Sequence, residues 1–150
     1  MRRLALLAPL LAASCAPLIN DVTTTPDDPP RFRALPAYPP ANAAVQRKAY
    51  PDLAPLARPE EPAKAFAAAA AAARRMPRWE VVYEDAATLA LEAVAVTGLL
   101  RFKDDVVVRV TPGPAGALVH ARSRSRVGKG DLGANAARLE AYLLELGRAP

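Results

Sequence analysis

Four groups of residues in this chain have types and spacings that could do chemistry. Gly128-Lys129-Gly130-Asp131-Leu132-Gly133 spells G-x-G-x-x-G, the pattern in which glycines let a backbone approach a pyrophosphate at a helix N-terminus. His120 precedes Ser123 and Ser125, so a base and a hydroxyl nucleophile lie close in sequence. Asp104, Asp105 and Asp131 are carboxylates that could work as an acid-base pair or hold a hard cation. Arg122, Arg126 and Lys129 flank a helix start and could seat an anion.

The elements that would position these residues weaken the first three groups. A strand precedes the glycines and a helix follows, but no second parallel strand comes after it and no acidic residue stands about 20 positions on. The glycines are better read as a strand-to-helix turn: Gly128 and Gly130 make the turn, Asp131 caps the helix, and Gly133 allows close backbone approach. His120 and the two serines alternate across a strand, so they project from opposite faces. His120 then belongs to an exposed mixed-charge face with Arg109, Arg122 and Glu92, while Ser123 and Ser125 face the helices. Asp104 and Asp105 are consecutive and diverge for the same reason, and with Asp131 they fall short of the ligand count of a cation loop. Neither a metal nor a cofactor is expected.

The periodicities place those elements. "AKAFAAAAAAARRM" is a strong helix former that begins near Pro62 and is stopped by Pro77. The segments 79–84, 88–97, 105–111 and 117–126 change to a period of two and are separated by short turn-like loops. In 132–146 the helical period returns, with Leu132, Ala136, Leu139, Leu143 and Leu146 on one stripe and Gly147 closing it. The expectation is an α+β domain in the order helix, four-stranded antiparallel meander, helix, with both helices on one sheet face and the other face open to water.

The stretch from Arg122 to Arg138 also carries a longer pattern. Arg122-Ser123, Ser125-Arg126, Gly128, Asp131, Gly133, Asn135 and Arg138 resemble the R-S-x-S-R-x-G-x-x-D-x-G-x-N-x-x-R signature of the bacterial and plastid family called domain of unknown function 1499. Phe102, Asp104 and Asp105 are similar to its F-x-D-D element, and the alanine helix before "MPRW" falls where that family has a helix, a proline and a strand. The resemblance spans roughly residues 50 to 146. An Asn-Cys pair that many members carry near the start of the domain has no counterpart between Pro17 and Pro62. The resemblance implies no particular reaction.

Eleven of the 16 prolines lie between Pro17 and Pro62, and residues 16–60 show no apolar period, so they read as an extended tether with polyproline character. Before it, "MRRLALLAPLLAASC" has two arginines, an apolar run from Leu4 to Leu11 and small residues, the order of a secretory signal. That run is shorter than the about 20 residues a spanning helix needs. "LLAASC" resembles the lipobox of bacterial lipoproteins, which implies acylation of Cys15; the other reading is an ordinary signal cleaved after Ala16. Ala16 in place of aspartate implies an outer-membrane destination where the cell has one. Removing Arg2 and Arg3 leaves 18 basic against 15 acidic residues, a surplus of +3. That modest charge, the strand setting of "RSRSR" and the export signal argue against nucleic acid.

The sequence therefore describes an exported cell-envelope protein, facing the periplasm from a lipid anchor, with residues 1–15 as signal, 16–60 as tether and 61–150 as domain. It is read as a non-catalytic binding or scaffolding module, its partner an envelope protein or an anionic group such as a lipid headgroup. Two uses remain for Asp104, Asp105, Arg122, Arg126, Lys129, Asp131, Asn135 and Arg138: a polar network fixing the last helix on the sheet, or an anion site at Arg122, Arg126 and the helix N-terminus. The competing class is an envelope hydrolase or metal-dependent enzyme using the Asp and Arg cluster.

Overall fold

The structure, a computed structural model, describes residues 16–149. In chain order the elements are β1 (Asp21–Thr23), α1 (Pro40–Ala49), β2 (Leu56–Arg58), α2 (Pro62–Arg75), β3 (Trp79–Asp85), β4 (Ala90–Val96), β5 (Lys103–Gly113), β6 (Gly116–Ser125) and α3 (Ala134–Gly147). Among the described residues the architecture is α+β, with three helices and a six-stranded antiparallel sheet.

Strands β3 to β6 pair consecutively, β5 and β6 through a tight turn that keeps Asp104 opposite Ser125 and Val108 opposite Ala121. The four expected strands are thus only part of the sheet. β1 pairs with residues 122–124 of β6, and β2 pairs with residues 117–119 of the same strand. Two short strands laid end to end cover an edge that a four-stranded sheet would leave open.

The core lies between one face of this sheet and helices α2 and α3. Leu91, Ala93, Val106, Val108, Val119 and Ala121 alternate inward from β4, β5 and β6 and meet Ala65, Phe66, Ala69 and Ala73 of α2 and Ala136, Leu139 and Leu146 of α3. Alanine on the buried side of α2 lets the helix backbone lie close to the strands, and Pro62 starts it at a position where its missing N–H costs nothing. Tyr142 is fully buried between the helices, stacked on Trp79 at 5.3 Å, with its hydroxyl donating to the Ala69 carbonyl (2.9 Å). Leu132 does not continue the stripe of α3: it precedes the helix and is 93% exposed.

The largest departure from expectation concerns residues 16–60, which are part of the domain. Ile19, Val22 and Leu53 join the core, and Phe32 and Tyr38 are buried. Between β1 and α1 the chain runs as a strap across the second sheet face. Thr25 bonds His120 on β6, Asp28 bonds Arg109 on β5, Arg33 bonds Glu92 on β4, and the Arg33 guanidinium stacks over Tyr83 on β3. Val107 and Arg122, which point to that face, are consequently buried. The strap forms neither helix nor strand, passing through a turn at 26–27 and bends at 33–35, and it is held by Thr25, Asp28 and Arg33 on successive strands and by the Pro30 and Pro36 carbonyls on Arg122. This explains why the segment carries no helical or strand signature. The signal read in residues 1–15, including Cys15, lies outside the described residues.

Candidate functional site

The expected polar cluster is assembled by β5, β6, the turn after β6 and α3, but the sheet divides it in two. On the helix side, Asn135 of α3 is at the centre. Its Oδ1 accepts from Ser123 Oγ (2.6 Å) and Arg138 Nη1 (2.6 Å), while its Nδ2 donates to Ser125 Oγ (2.9 Å) and the Asn20 carbonyl (3.2 Å). Arg138 also donates to Ser123 Oγ (2.9 Å) and to Asp104 Oδ2 (2.5 Å). Asn135 and Ser123 are fully buried, and Asp104 is 3% exposed. A buried polar group needs partners to offset its desolvation, and here each of these groups has them.

On the strap side, Arg122 is the largest fully buried side chain among the described residues. Its Nε and Nη2 donate to the two oxygens of Asp21 at 2.8 and 2.7 Å, a bidentate fork, and Nη1 and Nη2 donate to the carbonyls of Pro30 and Pro36. The rings of Phe32 and Tyr38 stand over the guanidinium at 5.0 and 5.8 Å. Burial, reinforced by Asp21, pushes the Tyr38 hydroxyl up to about 12, so it remains a donor, to Gln46 Oε1. Arg122 therefore ties the strap down and offers nothing to solvent, which corrects its reading as a free anion ligand.

Asp105 opposes Asp104 across the sheet and takes a bidentate pair from Arg126, at 2.9 and 2.6 Å, with Arg126 itself 45% exposed. The helix N-terminus is also taken: Asp131 Oδ1 accepts from the Gly133 amide (2.9 Å) and Oδ2 from the Asn135 amide (3.0 Å). Asp131 thus does the work of a cap from two residues outside it. Gly133 holds the cap position with φ +84°, a left-handed conformation that explains the glycine better than close approach does. Lys129 is exposed and has no ion pair among the described residues. The cation reading fails on geometry as well. Asp104 and Asp105 face opposite sides, each is engaged by an arginine, and Asp131 is engaged by amides.

His120 is not an exposed member of a charged face. It is 7% exposed, with Nδ1 bonded to Thr25 Oγ1 (2.7 Å) and Nε2 to Thr111 Oγ1 (2.9 Å), and burial together with Arg109 pushes its pKa down while Asp28 opposes them. Arg109 in turn holds Asp28 below the usual carboxylate range.

Residues 21–146 match the model of the family described as protein of unknown function (DUF1499). The chain belongs to that family. No curated protein matches the chain. The DUF1499 match begins at β1, so the family domain takes in the strap and both edge strands, further upstream than the resemblance indicated. Asp21, Gln46 and Asn20 complete the site and were missed because they sit in the proline-rich third. The one clue was local: Asp21-Val22-Thr23 has the alternation of a short strand.

Above the helix-side network lies a cleft of about 500 Å³ at the end of the sheet. Asp104, Ser125 and Asp131 form its floor, and Leu99, Leu100, Phe102, Val127 and Leu132 form its rim, from the β4–β5 loop and the turn after β6. The floor's polar atoms are largely spent on α3, so what the cleft presents outward is apolar.

Proposed function

We propose that this DUF1499 protein is an exported, lipid-anchored cell-envelope protein whose domain binds or scaffolds a partner and performs no reaction. One observation carries the reading: the signature residues Arg122, Ser123, Ser125, Arg126, Asp131, Asn135 and Arg138 are engaged by other groups of the same chain. A catalytic or anion-binding set would keep donors or acceptors free for a substrate. Here they join the last strand, the last helix and the N-terminal segment into one body. Support for the anchor is the order of Arg2, Arg3, Leu4–Leu11 and Cys15; among the described residues no helix is long and apolar enough to cross a membrane.

Both halves are open to measurement. Asn135→Ala deletes four side-chain hydrogen bonds, two of them buried and two partly buried, so urea unfolding should give a loss of about 2 to 4 kcal/mol. Parental stability would mean that the network is not a framework. The intact mass of the mature protein should show Cys15 as an acylated first residue; an unmodified N-terminus after Ala16 removes the anchor.

A further inference from the structure

Leu18, Leu99, Leu100, Phe102, Val127 and Leu132 are six of the nine large hydrophobic side chains exposed among the described residues, and they gather at one end of the domain. Leu99 and Leu132 are both 93% exposed. They come from three separate segments: the β4–β5 loop, the turn after β6, and the chain just before β1. Leu18 reaches the second of these, close enough that a Cβ on Gly130 would stand 2.9 Å from it. Solvated apolar side chains gathered in this way mark an interaction surface.

The charges among them have one sign. Arg101 of the β4–β5 loop, Lys103 at the start of β5 and Lys129 of the turn after β6 are exposed. The acidic residues nearby, Asp104, Asp105 and Asp131, are bound to Arg138, Arg126 and the helix amides. Position along the chain adds a third observation. Ala16 and Pro17 line a groove with Leu132 and Gly133, so the residue after Cys15 emerges beside the apolar end.

We propose that this end of the domain lies on an anionic bilayer surface, with Leu99, Leu100, Phe102 and Leu132 entering the interface and Arg101, Lys103 and Lys129 against lipid phosphates. Apolar loop residues with basic neighbours bind such surfaces by combining burial with attraction to anionic headgroups. A second copy of this chain would meet the same positive charges, so self-association is disfavoured at the rim. The orientation rests on the anchoring reading above, since an acyl group at Cys15 would hold this same end against the membrane. The binding itself does not need the anchor.

The test uses residues 16–150, which carry every described strand and helix but not Cys15. Co-sedimentation is measured with vesicles of phosphatidylcholine alone and of phosphatidylcholine with phosphatidylglycerol. Wild type should bind the anionic vesicles and release with salt. Leu99→Asp/Leu132→Asp should reduce partitioning by more than about tenfold. Arg101→Gln/Lys129→Gln should reduce it on anionic vesicles alone, by about fivefold per charge. Both pairs are exposed, and unchanged thermal unfolding confirms that they fold. Equal binding by wild type and variants, or no binding by wild type, overturns the proposal. Wild type that dimerises in sedimentation equilibrium while the leucine variant stays monomeric assigns the surface to a second copy and overturns it too. A missing acyl group at Cys15 in the intact mass would remove the anchor and leave this result standing.

Discussion

Arg122→Met, measured in residues 16–150, tests the structure at its most consequential contact. The substitution keeps much of the aliphatic volume and removes the guanidinium. Asp21, 1% exposed, then loses both short hydrogen bonds, and the carbonyls of Pro30 and Pro36 lose their donor. Breaking a buried pair from one side costs about 3 to 5 kcal/mol, because a charge is left without compensation. Arg124, 3.8 Å from Asp21 and partly exposed, recovers some of this, so the expected value is near the lower limit, about 3 kcal/mol. Asp21→Asn/Arg122→Met removes the stranded charge and should be more stable than the single variant. A deficit of about 1 to 3 kcal/mol should persist from the two carbonyls. The assay is urea unfolding followed by Trp79 fluorescence, with amide exchange read over residues 24–38. Exchange in the strap should rise in the single variant before the helices are affected. A cost below about 1 kcal/mol, as for a surface pair, would refute the reasoning: the strap would not be clamped, and the second sheet face would be open.

Two further outcomes follow from the same architecture. A chain beginning at residue 61 lacks β1, α1, β2 and the strap and leaves Arg122, His120 and Val107 uncovered; it should show no cooperative thermal transition, and a sharp one would return residues 16–60 to the role of tether. His120 is the only histidine, and its pKa is depressed in the fold, so the unfolded chain takes up its proton at the higher pH. Stability should be full above about pH 6.5 and decline as pH falls below it, by at most about 1.4 kcal/mol per pH unit. His120→Asn should flatten that decline, and a parent profile already flat from about pH 7.5 to 5.5 would contradict the burial.

Periodicity and punctuation determined a good deal from the sequence alone. The alanine helix from Pro62, the change to a period of two after Pro77 and the leucine stripe of the last helix are local signals, and each corresponds to an observed element. Alternation along β6 was enough to send Ser123 and Arg122 to opposite faces, and the spacing of Asp131, Asn135 and Arg138 was enough to place them near each other. The family signature was legible for the same reason, since most of it lies on one strand, one turn and one helix.

What those residues do was decided by a segment with no period. Whether Arg122 is a ligand-binding arginine or a buried clamp depends on Asp21, 101 residues away in sequence, and on a strap whose contacts land on four different strands. Proline-rich chain on its own is indistinguishable from a spacer, because polyproline conformation makes no internal hydrogen bonds and needs no apolar repeat. It becomes part of a domain only when a sheet supplies partners, and such partners are tertiary. The exposed apolar end has the same origin. Leu132 fits the helical stripe of α3, but Gly133 turns the chain in the left-handed region before the helix begins and leaves that side chain in solvent beside Leu18 and the β4–β5 loop.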